Sequence, residues 1–587
     1  MISARPTIVR AGGRAAEAVR SYQALFIMVL LLLVLGAFLV YPAVLMLANS
    51  FNVATHIFSD PWQWGLDHWR TAYQQPGWLL LPLWNTVMIF FLSTSVSFPL
   101  AVLISWVIAR AKIPFSHGIE FMFWVAFMMP SIAVTIGWML LTDPQIGVFN
   151  TWLKLLPFVD SAPLNIFSIG GIVWVNVMGN GIAGAVMLLV PAFRNMDAAL
   201  EEAGRTSGAS AGATMLRVTL PVMLPAMGLI LGLKVVRVFQ SFEVEELLGT
   251  RIDFFVYSTK VFDLVTRSNP PAYGLATALA TATLVVVAFI IPFQRWVIHR
   301  RQYTTVTGSF RPGLVDLGRW RYVALGLILT ILSLKIAAPF ISLVLGSVMV
   351  WAGFFNIDPA YTLAHWENTL TNRLFLRAAR NTFFLASTTA IISPIFFSML
   401  AYILVRTRWP GRLALDSMIW VTAAIPGMLS GLGLLMMFLG TPGLAVLYGT
   451  IWALIIVVIL QGNTTGVQLT KGVFVQMGAD LEEQARISGA GWLRTYFTVW
   501  VPLLMPTLIL LGTLNFIMAA NTTSSIILLA SRDTLTLSIL ALEFGTGGVA
   551  SREQAGVVSL VIIAMSLTMG LIARTWGLRL GIRHRYS

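Results

Sequence analysis

The sequence predicts an all-α polytopic membrane protein with about twelve transmembrane helices in two homologous halves of six. Of its 587 residues, 57% are hydrophobic and 11% are charged, whereas soluble domains carry about 25% charged residues. Apolar stretches of about 20 residues, the length that a helix needs to cross a bilayer, recur through most of the chain. They are continuous, without the alternation of barrel strands, and this favours helices. The stretches cover residues 23–49, 84–109, 119–141, 168–192, 221–241, 272–297, 321–351, 380–405, 413–438, 442–462, 501–520 and 555–575.

The basic residues explain the net charge of +14 without a nucleic-acid partner, because they cluster at the ends of the apolar stretches. The positive-inside rule places these clusters in the cytoplasm, so both termini are expected inside and the number of spans is even. The first stretch is too long for a signal-peptide core and is expected to remain as an anchor. The lack of cysteine excludes thiol chemistry and disulfides. The clusters are Arg5, Arg10, Arg14 and Arg20; Arg110 and Lys112; Arg295, Arg300, Arg301, Arg311, Arg319 and Arg321; Arg406, Arg408 and Arg412; and Arg574, Arg579, Arg583 and Arg585.

A repeat relates the two halves of the chain. Matching residues recur 296 positions apart: Asn85-Thr86 with Asn381-Thr382, Arg110 with Arg406, and Pro130 with Pro426. We expect a first half over residues 1–297, a polar linker over 298–320 and a second half over 321–587. Because both halves begin and end on the same side, the repeat is parallel, and a central pathway is expected between them.

A short charged motif lies between apolar stretches in each half. The first copy, residues 200–209, reads Leu-Glu-Glu-Ala-Gly-Arg-Thr-Ser-Gly-Ala, and the second, residues 481–490, reads Leu-Glu-Glu-Gln-Ala-Arg-Ile-Ser-Gly-Ala, 281 positions later. We expect cytoplasmic helices near 197–212 and 478–493, with Asp197 as a cap for the first. Their charged and small residues suit docking onto another protein. The candidate docking residues are Glu201, Glu202, Ala203, Arg205, Gly208, Glu482, Glu483, Ala485, Arg486 and Gly489.

The two motifs resemble the Glu-Ala-Ala motif of permease subunits of ABC importers. Glu202 and Gly208 fit its spacing in the first copy, with Leu220-Pro221 at its end, and Glu483 and Gly489 fit it in the second. Gly204 and Gln484 depart from the alanines of the family pattern. The chain resembles the fused type, in which one polypeptide carries both halves, and it is most similar to permeases of ferric-iron importers. Segments that carry this likeness are residues 241–249, 271–276, 303–308 and 317–321.

The resemblance implies a function for each motif. In such importers each copy is a coupling helix that sits in a cleft of a cytoplasmic ABC ATPase subunit, so two ATPase copies are expected. A periplasmic or extracellular solute-binding protein delivers the solute, and the permease spans the bacterial inner membrane. Ferric iron is the expected solute; thiamine, aminoethylphosphonate or a polyamine-like solute are alternatives. The chain has no Gly-x4-Gly-Lys-Ser/Thr loop, so ATP and Mg²⁺ are expected on the ATPase, and this chain is expected to bind no cofactor and to be no enzyme.

Charged and polar residues in the fifth span of each half are candidates for lining the pathway, because charges inside a bilayer usually face a cavity or a partner. Lys234, Arg237 and Ser241 share one helical face, and cations there suit an anionic solute or a metal bound with an anion. An internal ion pair of Lys234 or Arg237 with Glu243 is the alternative. All six histidines lie in connectors or tails, so no metal site is expected. The candidates are Lys234, Arg237, Gln240, Ser241, Glu243, Asn515, Asn521, Thr522 and Thr523, with Asn180, Gln461 and Asn463 as weaker ones.

Two other classes of function remain open at this point. An ion-coupled secondary transporter also uses parallel repeats, but that class does not explain two matched cytoplasmic helices. An integral-membrane enzyme is disfavoured because the spans contain no His-Glu-x-x-His motif and no clustered histidines. An ATPase and a secreted binding protein encoded beside this chain would favour the importer.

Overall fold

A computed structural model describes residues 26, 29–157, 161–197, 199–299, 314–407, 409, 411–478, 480–547 and 552–583. Within these ranges the regular structure is helical, accompanied by three isolated β-bridges. The basic clusters before residue 26 and the linker residues 300–313 lie outside the described residues.

The first half begins with a long helix and ends with another. Its helices are α1 (Val29–Asn49), α2 (Asp67–Gln74), α3 (Leu80–Arg110), α4 (Ser116–Met128), α5 (Ser131–Thr142), α6 (Val148–Leu153), α7 (Ile169–Asn176), α8 (Ala183–Arg194), α9 (Ala199–Thr206), α10 (Ala211–Thr214), α11 (Leu220–Val238), α12 (Glu243–Leu248), α13 (Tyr257–Thr266) and α14 (Tyr273–His299). Short π-helices occupy Val177–Gly181 and Met215–Thr219, and a 3₁₀ turn occupies Thr250–Ile252.

The second half follows the same order. Its helices are α15 (Trp320–Leu332), α16 (Ala338–Val348), α17 (Ala364–Thr371), α18 (Arg373–Arg406), α19 (Arg412–Ala424), α20 (Gly427–Gly440), α21 (Ile451–Gln476), α22 (Asp480–Ile487), α23 (Trp492–Thr495), α24 (Val501–Asn521), α25 (Leu537–Thr546) and α26 (Arg552–Arg583). π-Helices occupy Ser333–Ala337 and Tyr496–Trp500, and a 3₁₀ turn occupies Ala445–Leu447.

Each of the twelve predicted apolar stretches contains a helix, but three of them are broken. Eight helices of the described residues are long and apolar enough to span a membrane, or eleven if each bent pair counts as one span. The pair α4 and α5 bends by 93°, the pair α19 and α20 by 112°, and the fourth stretch, which contains α7 and α8, by 41°. The first two bends fall at the matched residues Pro130 and Pro426, because a proline pushes the preceding residue out of the helical conformation.

One predicted boundary differs clearly from the structure. The stretch predicted at 442–462 forms a helix over Ile451–Gln476, so it begins nine residues later and extends into a more polar sequence. Gly443 and Gly449 have positive φ angles of 83° and 72°, which an α-helix excludes. The Thr450 side chain then caps the helix by accepting a hydrogen bond from the amide of Ala453.

The repeat is visible in matched hydrogen bonds near the start of the second span of each half. Asn85 donates to the carbonyl oxygen of Phe255 (2.9 Å), and Asn381 donates to that of Leu535 (3.0 Å). The hydroxyls of the threonines that follow accept from backbone amides in the same way, Thr86 from Tyr257 at 3.0 Å and Thr382 from Leu537 at 2.8 Å. The residues that revealed the repeat therefore fasten the same loop in both halves.

A second matched pair, which the sequence interpretation missed, holds the connector after the first span. The indole of Trp69 donates to Ser50 (3.3 Å), and that of Trp366 donates to Ser347 (3.1 Å). His68 and His365 precede these tryptophans, and each places Nε2 beside a backbone carbonyl oxygen. The dipeptide His-Trp, repeated at an offset of 297, was the available signal.

The first span of each half packs against the opposite half. Helix α1 contacts α20, and α16 contacts α5. Two reciprocal contacts define this exchange: Gly433 lies against Pro42, and Gly137 lies against Pro339. A methyl group added at Gly137 would lie 2.7 Å from the Cα of Pro339, and one added at Gly433 would lie 3.0 Å from the Cβ of Pro42. Each glycine therefore lets a helix of the other half approach its backbone closely.

We predict that Gly137→Ala destabilises the chain by about 1–3 kcal/mol, because the new methyl group overlaps the backbone of Pro339. Gly326→Ala, in α15, is the matched control, since an added methyl group there meets no atom within 4 Å. Thermal unfolding of the detergent-solubilised chain measures both. Equal melting temperatures for the two variants would contradict this account of the contact.

Candidate functional site

Both motif copies form short helices that end at a glycine. We call α9 the first motif helix and α22 the second. The carboxylate of Asp197 accepts from the amide of Ala199 (3.0 Å), so it caps the first motif helix as predicted. After the two helices, Gly208 and Gly489 have φ angles of 85° and 78°, a left-handed conformation that other residues adopt at a cost. An added methyl group at either glycine would meet no atom of this chain within 4 Å. Backbone conformation therefore explains both glycines, and the space beside them is open.

The first glutamate of the first motif helix points into its own half. Glu201 is 4% exposed. Its carboxylate pairs with Arg110 at the end of α3 (2.6 Å) and accepts from the hydroxyl of Thr219 (2.7 Å). Arg110 also donates to the carbonyl oxygen of Met196 (3.2 Å). The helix is thus fixed to the end of a long span, and Glu201 is turned away from any docking surface.

The second motif helix is held at the same position by different chemistry. Glu482 is also buried, and its carboxylate accepts from the hydroxyl of Tyr402 (3.1 Å). Trp500 occupies the position of Thr219, and the guanidinium of Arg406 lies 4.9 Å from the centre of a Trp500 ring. Arg406 donates to the carbonyl oxygens of Phe474 (2.9 Å) and Met477 (2.6 Å). Aromatic packing thus surrounds the second motif helix where an ion pair holds the first.

The remaining motif residues form the exposed faces of the two helices. Glu202, Ala203 and Gly208 are exposed in the first, as are Glu483 and Gly489 in the second, while Arg205 and Ala485 are half-buried. The side chain of Arg486 lies outside the described part of the chain. Ile487, which the sequence interpretation did not single out, is 87% exposed, and its match in the first helix is Thr206. The faces that another protein would meet are therefore not chemically identical.

Lys234 is bonded within the first half. Its ammonium group donates to Ser97 (2.6 Å) in α3 and to the carbonyl oxygen of Gly181 (2.9 Å) in the break of the fourth span. Neither Lys234 nor Arg237 forms an ion pair with Glu243 among the described contacts, so the alternative of an internal ion pair is not observed there. Lys234 instead satisfies a carbonyl group that the break leaves without a helical partner.

Arg237, in the last turn of α11, and Gln240, in the turn that follows this helix, are both exposed. The Nη1 atom of Arg237 would lie 3.3 Å from a methyl group placed on Gly184, which locates the guanidinium beside α8. No hydrogen bond or ion pair of Arg237 occurs within the described ranges. Lys234, one turn earlier, has by contrast two hydrogen bonds.

The three glutamates of α12 have separate surroundings. Glu245 accepts from Ser241 (2.6 Å) and from Asn176 (2.9 Å), and both donors are neutral. Glu246 forms an ion pair with Arg267. Glu243 lies beside Thr523 and the backbone of Ser524 in the second half. Of the three, Glu243 is the one that meets the opposite half at the predicted pathway.

The polar residues of the second half also separate into two groups. Asn515 is buried, donates to the carbonyl oxygen of Leu511 (2.9 Å), and lies against Gly462. Thr522 and Thr523 lie in the turn after α24, where the Thr522 hydroxyl contacts Ser525 (3.0 Å) and Thr523 is buried.

Asn521 reaches the first half. Its amide nitrogen lies 3.5 Å from the carbonyl oxygen of Met128, the last residue of α4, and its carbonyl oxygen accepts from Ser566 (3.2 Å). Asn515 therefore packs within its half, whereas Asn521 lies at the junction of the halves.

The weaker candidates add little to this picture. The side chain of Asn180 lies outside the described part of the structure. Asn463 is fully buried, and its amide atoms have no hydrogen-bond partner in the described structure. Gln461 lies beside Gly427 in the second half.

Lys335 is a polar residue that the sequence interpretation missed. It lies in the seventh apolar stretch, is 1% exposed, and donates to the carbonyl oxygen of Met178 (2.6 Å) in the first half. A single charge inside an apolar stretch was the signal that could have revealed it. Lys335 and Lys234 thus reach the same break, at Val177–Gly181, from different halves.

Comparisons with known proteins agree with the motifs. Residues 394–581 match the family described as "Binding-protein-dependent transport system inner membrane component". The chain is 26% identical over 379 residues to a ferric transport system permease protein, FbpB, of Actinobacillus pleuropneumoniae; the alignment covers 62% of this chain and 53% of the relative. It is 24% identical over 208 residues to a molybdate/tungstate transport system permease protein, WtpB, of Pyrococcus abyssi, with 35% and 80% covered. The chain thus spans about half the length of the ferric relative it matches.

Among solved structures, the chain is similar to a bacterial ABC transporter involved in the import of the acidic polysaccharide alginate. The identity is 18%, the TM-score is 0.42, and 49% of this chain and 100% of the other are covered. The ferric relative and the matched family confirm the resemblance predicted from the two motifs, to fused permeases of ABC importers.

We predict that Glu201→Gln destabilises the chain by about 3–5 kcal/mol, because it leaves the guanidinium of Arg110 buried without its charged partner. Glu202→Gln is the matched control: the neighbouring side chain is exposed, so the expected change is within about 0.5 kcal/mol. Thermal unfolding in detergent distinguishes the two. If Glu202→Gln proved as destabilising as Glu201→Gln, burial of the ion pair would not be what holds the first motif helix.

Proposed function

We propose that this chain is the membrane permease of an ATP-driven importer, and that it moves a solute into the cytoplasm by alternating access between its two halves. The observation that carries the proposal is the pair of motif helices. Both are anchored by a buried glutamate, both end at a left-handed glycine, and both turn a second glutamate outward. Because each motif helix is fixed to a membrane span, a partner that displaces the helix would also move that span.

The partners follow from this geometry and from the resemblance. Each motif helix would meet one subunit of a cytoplasmic ABC ATPase dimer, which would hold ATP and Mg²⁺. A binding protein would deliver the solute from outside the bacterial inner membrane, and both termini of this chain would lie in the cytoplasm. Since one chain carries both motif helices, one copy would suffice for one ATPase dimer.

Ferric iron is the solute that we propose first, on the strength of the ferric relative. The molybdate/tungstate relative supports the same machinery with a different solute. An ion-coupled secondary transporter is less well supported, because such a protein has no use for two anchored motif helices.

Reconstitution tests the proposal. The chain is placed in lipid vesicles with its candidate ATPase, and ATP hydrolysis is measured with and without a binding protein loaded with ferric iron. We expect the loaded binding protein to stimulate hydrolysis. Failure of the chain to associate with any candidate ATPase would refute the importer function.

We predict that Gly208→Trp and Gly489→Trp each weaken association with the ATPase by at least about tenfold, while the chain still inserts into the membrane. The added ring meets open space in this chain, but it occupies the surface that the partner would approach and strains the left-handed backbone by about 1–2 kcal/mol. Co-purification with the ATPase at graded concentrations measures the effect.

Two controls separate the effect of side-chain size from the effect of backbone strain. Gly208→Asn keeps a residue that tolerates the left-handed conformation and should bind more tightly than Gly208→Trp. Gly118→Trp adds the same ring at another exposed glycine with open space around it, and it should bind normally. Normal association of both tryptophan variants in the motif would contradict the docking role.

A further inference from the structure

The pathway side of the fifth span can be identified by comparing the two halves. Lys234 and its match Asn515 both lie against a glycine of the fourth span, Gly181 and Gly462. Three residues later, Arg237 and its match Met518 are both exposed, Met518 at 51%. The first pair is therefore held by contacts within each half, whereas the second pair keeps an exposed surface, which we call the free face of the helix.

The depth of the Arg237 guanidinium in the membrane follows from the residue beside it, Gly184. The guanidinium lies beside Gly184, and the fourth span runs from Ile169 to Arg194. Gly184 is therefore close to the middle of that span, about 15 Å from its end at Arg194 at 1.5 Å per residue. Arg237 is too deep to be a residue that extends to the membrane surface.

The free face at Arg237 does not suit lipid. An arginine exposed to hydrocarbon at the bilayer centre costs at least about 2.5 kcal/mol, so such residues face a cavity or a partner. Gly184 also adjoins Phe127, and the next residue, Met128, is contacted by Asn521 of the second half. Arg237 is thus close to the junction of the halves, where the pathway is expected.

The charge of Arg237 is not balanced by the neighbouring acids. Glu245 is bonded to Asn176 and Ser241, Glu246 to Arg267, and Glu243 lies beside Thr523. Near the break of the fourth span, Lys234 and Lys335 are also cations, and both are bonded to backbone carbonyls, while the carboxylate of Glu245 is bonded to Asn176 just before the break. The guanidinium of Arg237 is left with its hydrogen-bond donors free within the described structure.

We propose that Arg237 is the anion-recognition residue of the pathway, so that the transported solute carries an oxyanion group when it passes this point. The inference rests on the proposed function and names its substrate class. A planar guanidinium binds carboxylates and inorganic oxyanions through two parallel hydrogen bonds. A bare multivalent cation would be repelled here, so ferric iron would pass as a complex with an oxyanion. Met518 places an uncharged thioether at the matching position of the other wall.

Binding of soluble anions to the full chain tests this inference without the ATPase. The chain is placed in nanodiscs of phosphatidylcholine, and its thermal unfolding is followed while ferric citrate, molybdate, sulfate or phosphate is titrated at constant ionic strength against chloride. We expect at least one of these anions to raise the melting temperature. We expect Arg237→Gln to weaken its apparent affinity by at least about tenfold, the loss of a charge-assisted bidentate contact. Arg237→Lys keeps the charge but not the two parallel hydrogen bonds, so its affinity should lie between those of Arg237→Gln and the wild type.

Two further arms complete the experiment. Arg70→Gln removes an exposed guanidinium far along the chain, in α2, and should leave the affinity unchanged. Nanodiscs that contain phosphatidylglycerol test whether a lipid headgroup is the anion. The proposal is overturned if no soluble anion shifts the wild type, if Arg237→Gln binds as well as the wild type, or if only the anionic lipid gives the shift. No ATPase is present in this measurement, so it remains valid even if the chain proves not to be an importer. If the chain is an active importer but Arg237→Gln binds anions as well as the wild type, only the anion site is refuted.

Discussion

Hydrocarbon offers no hydrogen bonds, so each break in a membrane helix exposes carbonyl groups that the protein itself must satisfy. This constraint explains where many of the polar side chains of the spans lie. At the break over Val177–Gly181, Lys234 and Lys335 each donate to a carbonyl oxygen, and at the end of α4, Asn521 lies beside that of Met128. Two of these three donors come from the second half. Satisfying the breaks of the first half therefore also joins the two halves.

Much of the fold could be predicted because it depends on patterns that can be read from the sequence without knowing which segments touch. The apolar stretches and the cap of the first motif helix each lie within one segment, and the offset of 296 between Asn85-Thr86 and Asn381-Thr382 is found by comparing the sequence with itself. The direction of Glu201 could not be predicted in this way. The sequence shows two adjacent glutamates on a polar helix, and only the position of Arg110, 91 residues earlier, decides that the first is buried. The packing of each first span against the opposite half was missed for the same reason. It depends on contacts between distant residues, Gly433 with Pro42 and Gly137 with Pro339.

The two halves share a plan but not its chemistry. In the first, an ion pair between Arg110 and Glu201 holds the motif helix, whereas in the second, Tyr402 takes the place of the cation and Trp500 that of Thr219. The fourth span is broken in the first half and continuous in the second, as α21. In the fifth span, Lys234 and Arg237 of the first half match an amide and a thioether, Asn515 and Met518, of the second. Fusion of the halves in one chain permits such divergence, because each wall can change without altering its counterpart.

The exchange of first spans has a consequence for biosynthesis. Helix α1 is synthesised well before α20, and the surface that receives its Pro42 lies at Gly433, about 390 residues later in the chain. At about 5–20 residues per second, translation takes roughly 20–80 s to reach that surface. During this interval α1 has no native neighbour from the second half, and its small and apolar face must be sheltered by lipid or by the insertion machinery. The contact between α1 and α20 can therefore form only after most of the chain has been synthesised.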